Sequence, residues 1–256
     1  MLPSIFYYLF AALGVSTVQA KQSFSNTGTK SGWNDFTHDH LGKVEEVKDV
    51  FYKGPTALRM TQIHDDEWNG RYHSEAVKKA VYKKGDTGFY GFAFQLPKNW
   101  EFTKDVGFNL AQFITDFSDL GCGEKGMPST MIAIEEDQLS ARVKYGSVCP
   151  TSAQKTTKWS KLATVKPGVW HTVVIQASWK SDDSGFFRMW FDGKQVRNEE
   201  GIKTTVSDGR AFDFRVGLYA NHWFDHGYSG NQPTRQVYYD QIAIGSTMDD
   251  ADPSKW

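Results

Sequence analysis

Alternation of apolar and polar side chains with a period of two constrains this chain more than any other feature. It suits a pleated strand with one buried face and does not suit a helix. It recurs in Arg71–Ala76, Phe89–Leu96, Phe108–Phe117, Met131–Glu135, Leu139–Tyr145, His171–Trp179, Phe186–Phe191, Phe214–Asn221 and Gln236–Ile244. Turn-forming residues separate these runs, among them Lys84-Gly85-Asp86, Pro97-Lys98-Asn99, Pro167-Gly168 and Asp192-Gly193. Ser74–Lys84 also fits an amphipathic helix, with Ala76, Val77, Ala80 and Val81 on one side, but its strand neighbours decide for a strand. No repeat, linker or break in composition marks a second domain. So many short strands with regular turns predict an all-β, single-domain β-jelly-roll sandwich with one sheet bent into a concave groove.

Composition narrows the function. With 29 Lys+Arg against 30 Asp+Glu, the formal net charge is −1, without the basic surplus expected of a nucleic-acid binder. Aromatic residues make up 15% of the chain, far too many for disorder. The first twenty residues carry no charged side chain and hold an apolar block from Ile5 to Val15. Small residues then follow at Val18-Gln19-Ala20. This reads as a signal peptide over residues 1–20, since the apolar block is shorter than the ~20 residues that span a bilayer. A secreted mature chain, residues 21–256, is the expectation; no later segment is long and apolar enough to serve as a membrane anchor. In an oxidising compartment the two cysteines, Cys122 and Cys149, pair as a disulfide.

Strand parity then sorts the polar residues. Arg71, His73 and Glu75 share one face, and three ionisable groups do not face an apolar core. The face is either a solvated Arg–Glu pair or an anion clamp beside a titratable imidazole. Gln112 interrupts an otherwise apolar strand and must find a structural partner or a ligand. Arg215, Gly217, Tyr219 and Asn221 share the polar face of a third strand, where Gly217 leaves room for a ligand to approach the backbone. On a fourth, Arg142 and Lys144 point outward with Ser140. All four sets can share one concave surface. The Glu-x-Asp-x-Glu pattern of jelly-roll glycosidases is absent, as are HExxH, P-loop, GxSxG and GxGxxG motifs.

The segments GRYHSEA (70–76), NLAQFITDF (109–117), FRVGLYANHW (214–223) and VYYDQIAIG (237–245) carry a resemblance. So does the Trp-His strand with its Trp-Phe-Asp-Gly-Lys hairpin, within 168–196. The chain resembles the jelly-roll polysaccharide lyases, concanavalin-like sandwiches, and among them the glucuronan lyases of polysaccharide lyase family 20. The related alginate lyases carry Arg-x-Glu-x-Arg, Gln-Ile-His and Lys-x-Gly-x-Tyr-x-Gln strands. Against these, Arg71 takes the first Arg, Gln112 the Gln, Arg215 the Lys, Tyr219 the Tyr and Asn221 the final Gln. Ile114 stands where alginate lyases have their His, and His73 where they have the strand Glu. That departure weakens an alginate assignment and suits family 20 better.

The resemblance implies β-elimination on an acidic polysaccharide, here β-1,4-linked polyglucuronate, cut within the chain by a monomer. Elimination removes the C5 proton, builds charge on the C6 carboxylate and breaks the C4–O bond. It needs donors at the carboxylate, for which Gln112, Asn221 and Arg71 are the candidates, and an acid and a base in reach. In glucuronate the C5 hydrogen and O4 lie on the same side of the ring, so one group can serve both. Tyr219, with its pKa lowered by Arg71 or Arg215, is the first candidate; His73 is the alternative base or a second carboxylate contact. Lys144, Arg142 and Arg215 are expected to hold neighbouring carboxylates. No cofactor is required for this chemistry. In similar sandwiches an acidic residue of the last strand, here Asp240, helps hold a structural calcium ion; a hydrogen-bonded turn or edge Asp is the competing reading. The rival functions are a lyase for alginate or another uronan, and a lectin-like module that grips acidic glycans without cleaving them.

Overall fold

The structure is a computed structural model and describes residues 22–256, so the signal-peptide segment 1–20 lies outside the described residues. Strands follow in the order β1 (Gln22–Asn26), β2 (Asp35–His38), β3 (Lys43–Val47), β4 (Ala57–Ile63), β5 (His73–Tyr82), β6 (Thr87–Gln95), β7 (Gly107–Asp116) and β8 (Gly126–Glu135). Then come β9 (Gln138–Tyr145), β10 (Lys155–Thr164), β11 (Trp170–Ser178), β12 (Gly185–Phe191), β13 (Lys194–Ile202), β14 (Phe212–Tyr219) and β15 (Thr234–Gly245). Two short helices, α1 (Asn221–Asp225) and α2 (Met248–Ala251), follow β14 and β15. Among the described residues no helix is long and apolar enough to cross a membrane.

Each segment with period-two alternation falls on a strand, though Arg71 precedes β5 and Asn221 follows β14, and the ambiguous Ser74–Lys84 stretch runs in β5 as far as Tyr82. The strands form two antiparallel sheets, ordered β13-β12-β11-β6-β15-β4-β3, with β1 also on β15, and β10-β9-β8-β7-β14-β5-β2. This is the predicted jelly-roll sandwich. Its core is aromatic: Tyr82 stacks on Trp179 at 4.0 Å and on Phe212 at 4.8 Å, and Phe113 stacks on Phe214 at 4.9 Å. Such rings bury large area and interlock by offset stacking, which fixes the separation of the sheets. Two polar links cross the core beneath the functional face. The Tyr239 hydroxyl lies 2.9 Å from the Leu110 carbonyl and 2.8 Å from that of Gly217. Gln62 donates to the Ser74 hydroxyl at 2.6 Å. Buried bonds of this kind hold one register against slippage.

Candidate active site

Register alone assembles the site. Across the middle of the seven-stranded sheet, Arg142 of β9 faces Met131 of β8, which faces Gln112 of β7, then Arg215 of β14. One step along, Glu75 of β5 pairs with Gly217, and another step on, His73 pairs with Tyr219. Because side chains alternate, Arg142, Gln112, Arg215, Tyr219 and His73 emerge on the same face. They line one cleft of about 770 Å³ together with Arg71, Lys144 and Asn221.

Glu75 is sunk beneath this surface with no exposed area. It accepts a hydrogen bond from Gln112 Nε2 at 2.6 Å and lies 3.5 Å from Arg215 Nη1. The buried amide therefore has a structural partner, and Gln112 is held in a fixed orientation at the cleft floor. Gly217 serves this arrangement and not the approach of a ligand. A Cβ there would lie 2.2 Å from the Ser74 carbonyl oxygen and 2.6 Å from the Glu75 Cα. The bare backbone lets β5 and Glu75 pack close.

His73 and Tyr219 stack with ring centroids 4.0 Å apart. His73 Nδ1 lies 2.6 Å from Asp39 Oδ2, and the His73 backbone N–H donates to the same oxygen at 3.1 Å. Burial raises the Asp39 pKa, but the bonds and charge of His73 outweigh it, and the carboxyl sits below its ordinary value. An ionised Asp39 keeps the ring proton on Nδ1, leaving Nε2 as the open nitrogen of a cleft residue. The Tyr219 hydroxyl accepts a hydrogen bond from Arg71 Nη1. Its pKa is not lowered as expected. Burial pushes it up to about 12 in spite of Arg71, with Asp225 and Glu75 adding to the rise. The phenol rests protonated, poised to donate.

Asn221 is not on a strand. β14 ends at Tyr219, and Asn221 opens α1, still lining the cleft. Among the described residues its Oδ1 and the Arg215 Nε are buried without a hydrogen-bond partner, two polar groups that a bound sugar can satisfy. Burial lowers the pKa of Arg142, and burial together with Arg142 lowers that of Lys144. An anion held between them relieves both effects. Lys144 also donates to Gln154 at 3.0 Å, and Gln154 donates to Glu124 at 2.6 Å. The Cys122–Cys149 disulfide secures the same wall.

The cleft continues into a second arm of about 750 Å³, which shares Met131, Arg142, Asn221 and Asp225 with the first. Asp240 lies far from this chemistry in role: it is fully buried on β15, and its carboxylate accepts from the backbone N–H groups of Tyr52, Lys53 and Gln241 at 2.9, 3.0 and 2.7 Å. Calcium takes a cage of six to eight oxygens. Donor N–H groups occupy that place here, and among the described residues no three His, Cys, Asp or Glu side chains converge as metal ligands. The surroundings of Asp240 do not fit a calcium ion.

Asp39 was missed from the sequence. It follows β2, a short edge strand whose Asp35–His38 run shows no clean alternation. The available signal was an acid within reach of a histidine already singled out, but the pairing of β2 with β5 could not be foreseen.

A two-sheet sandwich with an imidazole, a phenol and a row of cations over one sheet has the architecture and side-chain set of an enzyme acting on acidic polysaccharide. The family model described as polysaccharide lyase matches residues 25–243, and the chain belongs to that family. Among solved structures, an endo-β-1,4-glucuronan lyase from the fungus Trichoderma reesei is 44% identical. That match covers 92% of this chain and 100% of the other, with a TM-score of 0.90. The alginate lyase vAL-1 from Chlorella virus shares the fold at 12% identity, with 84% and 93% of the two chains covered and a TM-score of 0.56. A search of curated proteins finds no match.

Proposed function

We propose that this protein is a secreted lyase that cleaves β-1,4-linked polyglucuronate by syn β-elimination. The observation that carries the mechanism is the His73–Tyr219 pair, stacked at 4.0 Å with Asp39 behind the imidazole. His73 Nε2 takes the C5 proton. The electron pair of the C5–H bond moves toward the C6 carboxylate, where N–H donors of Gln112 and Asn221 and the charge of Arg71 stabilise the developing enolate. Collapse of the enolate forms the C4–C5 double bond and breaks the C4–O bond. Tyr219, protonated at rest, donates its proton to the departing O4, and solvent returns one to the phenolate as His73 loses its own. Both groups stand on one side of the cleft, as the shared side of the C5 hydrogen and O4 in glucuronate requires. Arg142, Lys144 and Arg215 hold neighbouring carboxylates, so the Michaelis constant is expected to rise with salt.

The 44% identical glucuronan lyase supports glucuronan over alginate, and Ile114 in place of the alginate-lyase His points the same way. Two arms that join at Met131, Arg142, Asn221 and Asp225, with the catalytic pair lining one of them, let a polymer continue beyond the pair, which supports cutting within the chain. The uncharged N-terminal segment and the disulfide support secretion.

The test is ultraviolet absorbance of the conjugated unsaturated uronate on mixing the protein with glucuronan, alginate and polygalacturonate separately. A rise on glucuronan alone is expected. A rise on alginate alone would overturn the substrate, and no rise on any with retained glycan binding would favour the lectin-like reading. Tyr219→Phe is expected to lower turnover by about 10²-fold or more while keeping oligosaccharide affinity; substantial turnover would remove Tyr219 as the acid.

A further inference from the structure

The two arms of the cleft differ in charge. The arm holding His73 presents Arg71, Lys125, Arg142, Lys144 and Arg215 against Asp39, Glu124 and Asp225. The other presents Arg142 of β9, with Lys158 and Lys161 of β10. Against these stand Asp105 ahead of β7, Glu135 and Glu136 at the end of β8, and Asp225 of α1. Part of this charge is already paired: Lys158 lies 2.6 Å from Glu135, and Arg71 lies 3.6 Å from Asp225. Two histidines of the α1 segment, His222 and His226, complete the lining of this arm. Their rings lie 4.9 Å apart, and neither imidazole has a hydrogen-bond partner among the described residues. With both neutral, the arm carries one more carboxylate than cations; with both protonated, the balance reverses.

We propose that His222 and His226 form a second uronate-binding subsite that engages a sugar carboxylate only on the acid side of neutrality. The inference rests on the uronan reading above. Its ligand class is the carboxylate of a uronosyl residue beyond the cleaved bond, and its consequence is a pH-dependent grip on long substrate. At neutral pH the arm's carboxylates disfavour an anionic sugar, so a bound polymer is held chiefly by the other arm. As pH falls, the two imidazoles charge and supply donors for a carboxylate between them. Burial and the neighbouring His226 hold the His222 pKa below its ordinary value, against Asp225 and Asp105, so full engagement needs mildly acidic conditions.

The test compares the Michaelis constant for glucuronan oligomers long enough to fill both arms in the wild type and in His222→Gln/His226→Gln, between about pH 5 and 8. Expected is a fall of about two- to fivefold in the wild-type constant toward acid pH, the scale of a partly exposed ion pair. The double variant should lose that fall while kcat keeps its pH profile. His226→Lys, a fixed cation at an exposed position, should bind long oligomers at pH 8 as the wild type does at pH 5. An identical pH dependence of the constant in wild type and double variant, with the wild type active on glucuronan, would overturn this inference alone. No turnover of any uronan by the wild type would overturn both it and the proposed function.

Discussion

Two histidine–aspartate pairs in this molecule are built almost alike, and only one belongs to the cleft. His73 Nδ1 lies 2.6 Å from Asp39 Oδ2, and His171 Nδ1 lies 2.8 Å from Asp192 Oδ2. Each aspartate also accepts a backbone N–H, from His73 itself in one case and from Thr172 at 2.8 Å in the other. The difference lies in the second ring nitrogen. His171 Nε2 accepts the Lys166 backbone N–H at 3.0 Å, and the ring packs between Phe94 and Phe191. Both nitrogens are occupied and the ring is buried, so the pair ties the β12–β13 turn to the start of β11. Among the described residues His73 carries no such second bond, and it lies against Tyr219 in the cleft. A carboxylate behind an imidazole fixes a tautomer; an open nitrogen facing a ligand is what makes that tautomer a base.

Substituting each histidine is the most forceful way to break this comparison. His73→Gln is expected to reduce kcat by about 10²- to 10⁴-fold with little change in melting temperature. His171→Gln should leave turnover per folded molecule intact and cost about 1–3 kcal/mol of stability, because it strands the Lys166 N–H and the Asp192 carboxylate. Steady-state kinetics and thermal unfolding of both variants decide it. Loss of turnover in folded His171→Gln, or full turnover in His73→Gln, would erase the distinction drawn here.

The aspartates give the next largest effect. An amide at position 39 no longer accepts the Nδ1 proton as a charge, so Asp39→Asn should lower kcat by up to about 10⁴-fold, as loss of tautomer control does in hydrolytic triads. Affinity for oligoglucuronate should stay close to wild type, since the Asp39 carboxylate is bonded to His73. Asp192→Asn should move stability alone. Equal kinetic losses in the two variants would mean that the Asp39 bond is structural as well.

The same contrast explains what could be read from the sequence. Strands with one wholly apolar face, such as β9 and β14, alternate visibly, and parity along these and along β5 and β7 put His73, Gln112, Arg142, Arg215 and Tyr219 on one surface. The strands that escaped notice include all four sheet edges: β2 and β10 of one sheet, β3 and β13 of the other. Edge strands are wetted on both faces and carry charge against further pairing, so alternation fades. In β13, Lys194–Ile202, no residue is buried. β4 was missed for another reason: Arg59 and Thr61 alternate with Leu58 and Met60, but Gln62 falls on the apolar side and breaks the pattern, and most of the strand is buried. Asp39 belongs to an edge and was lost with it. The direction of the Tyr219 shift was also out of reach, because the nearby arginine is evident in the sequence whereas the burial that outweighs it exists only once the sheets have packed.

The smallest effect concerns stability alone and separates charge from shape in the cleft pair. The Asp39 carboxyl is held below its ordinary pKa in the folded protein, the bonds and charge of His73 prevailing over burial. A group depressed in this way stabilises the fold above its unfolded pKa, near 3.9, and loses that contribution as pH falls through the lower folded value. Asp39→Asn has no proton to gain. The stability gap between wild type and Asp39→Asn, measured by denaturant titration, should therefore be widest near neutral pH and narrow steadily below about pH 4. A gap that persists unchanged as pH falls through the folded pKa of Asp39 would show that the carboxylate supports His73 through its shape and packing, not through its charge.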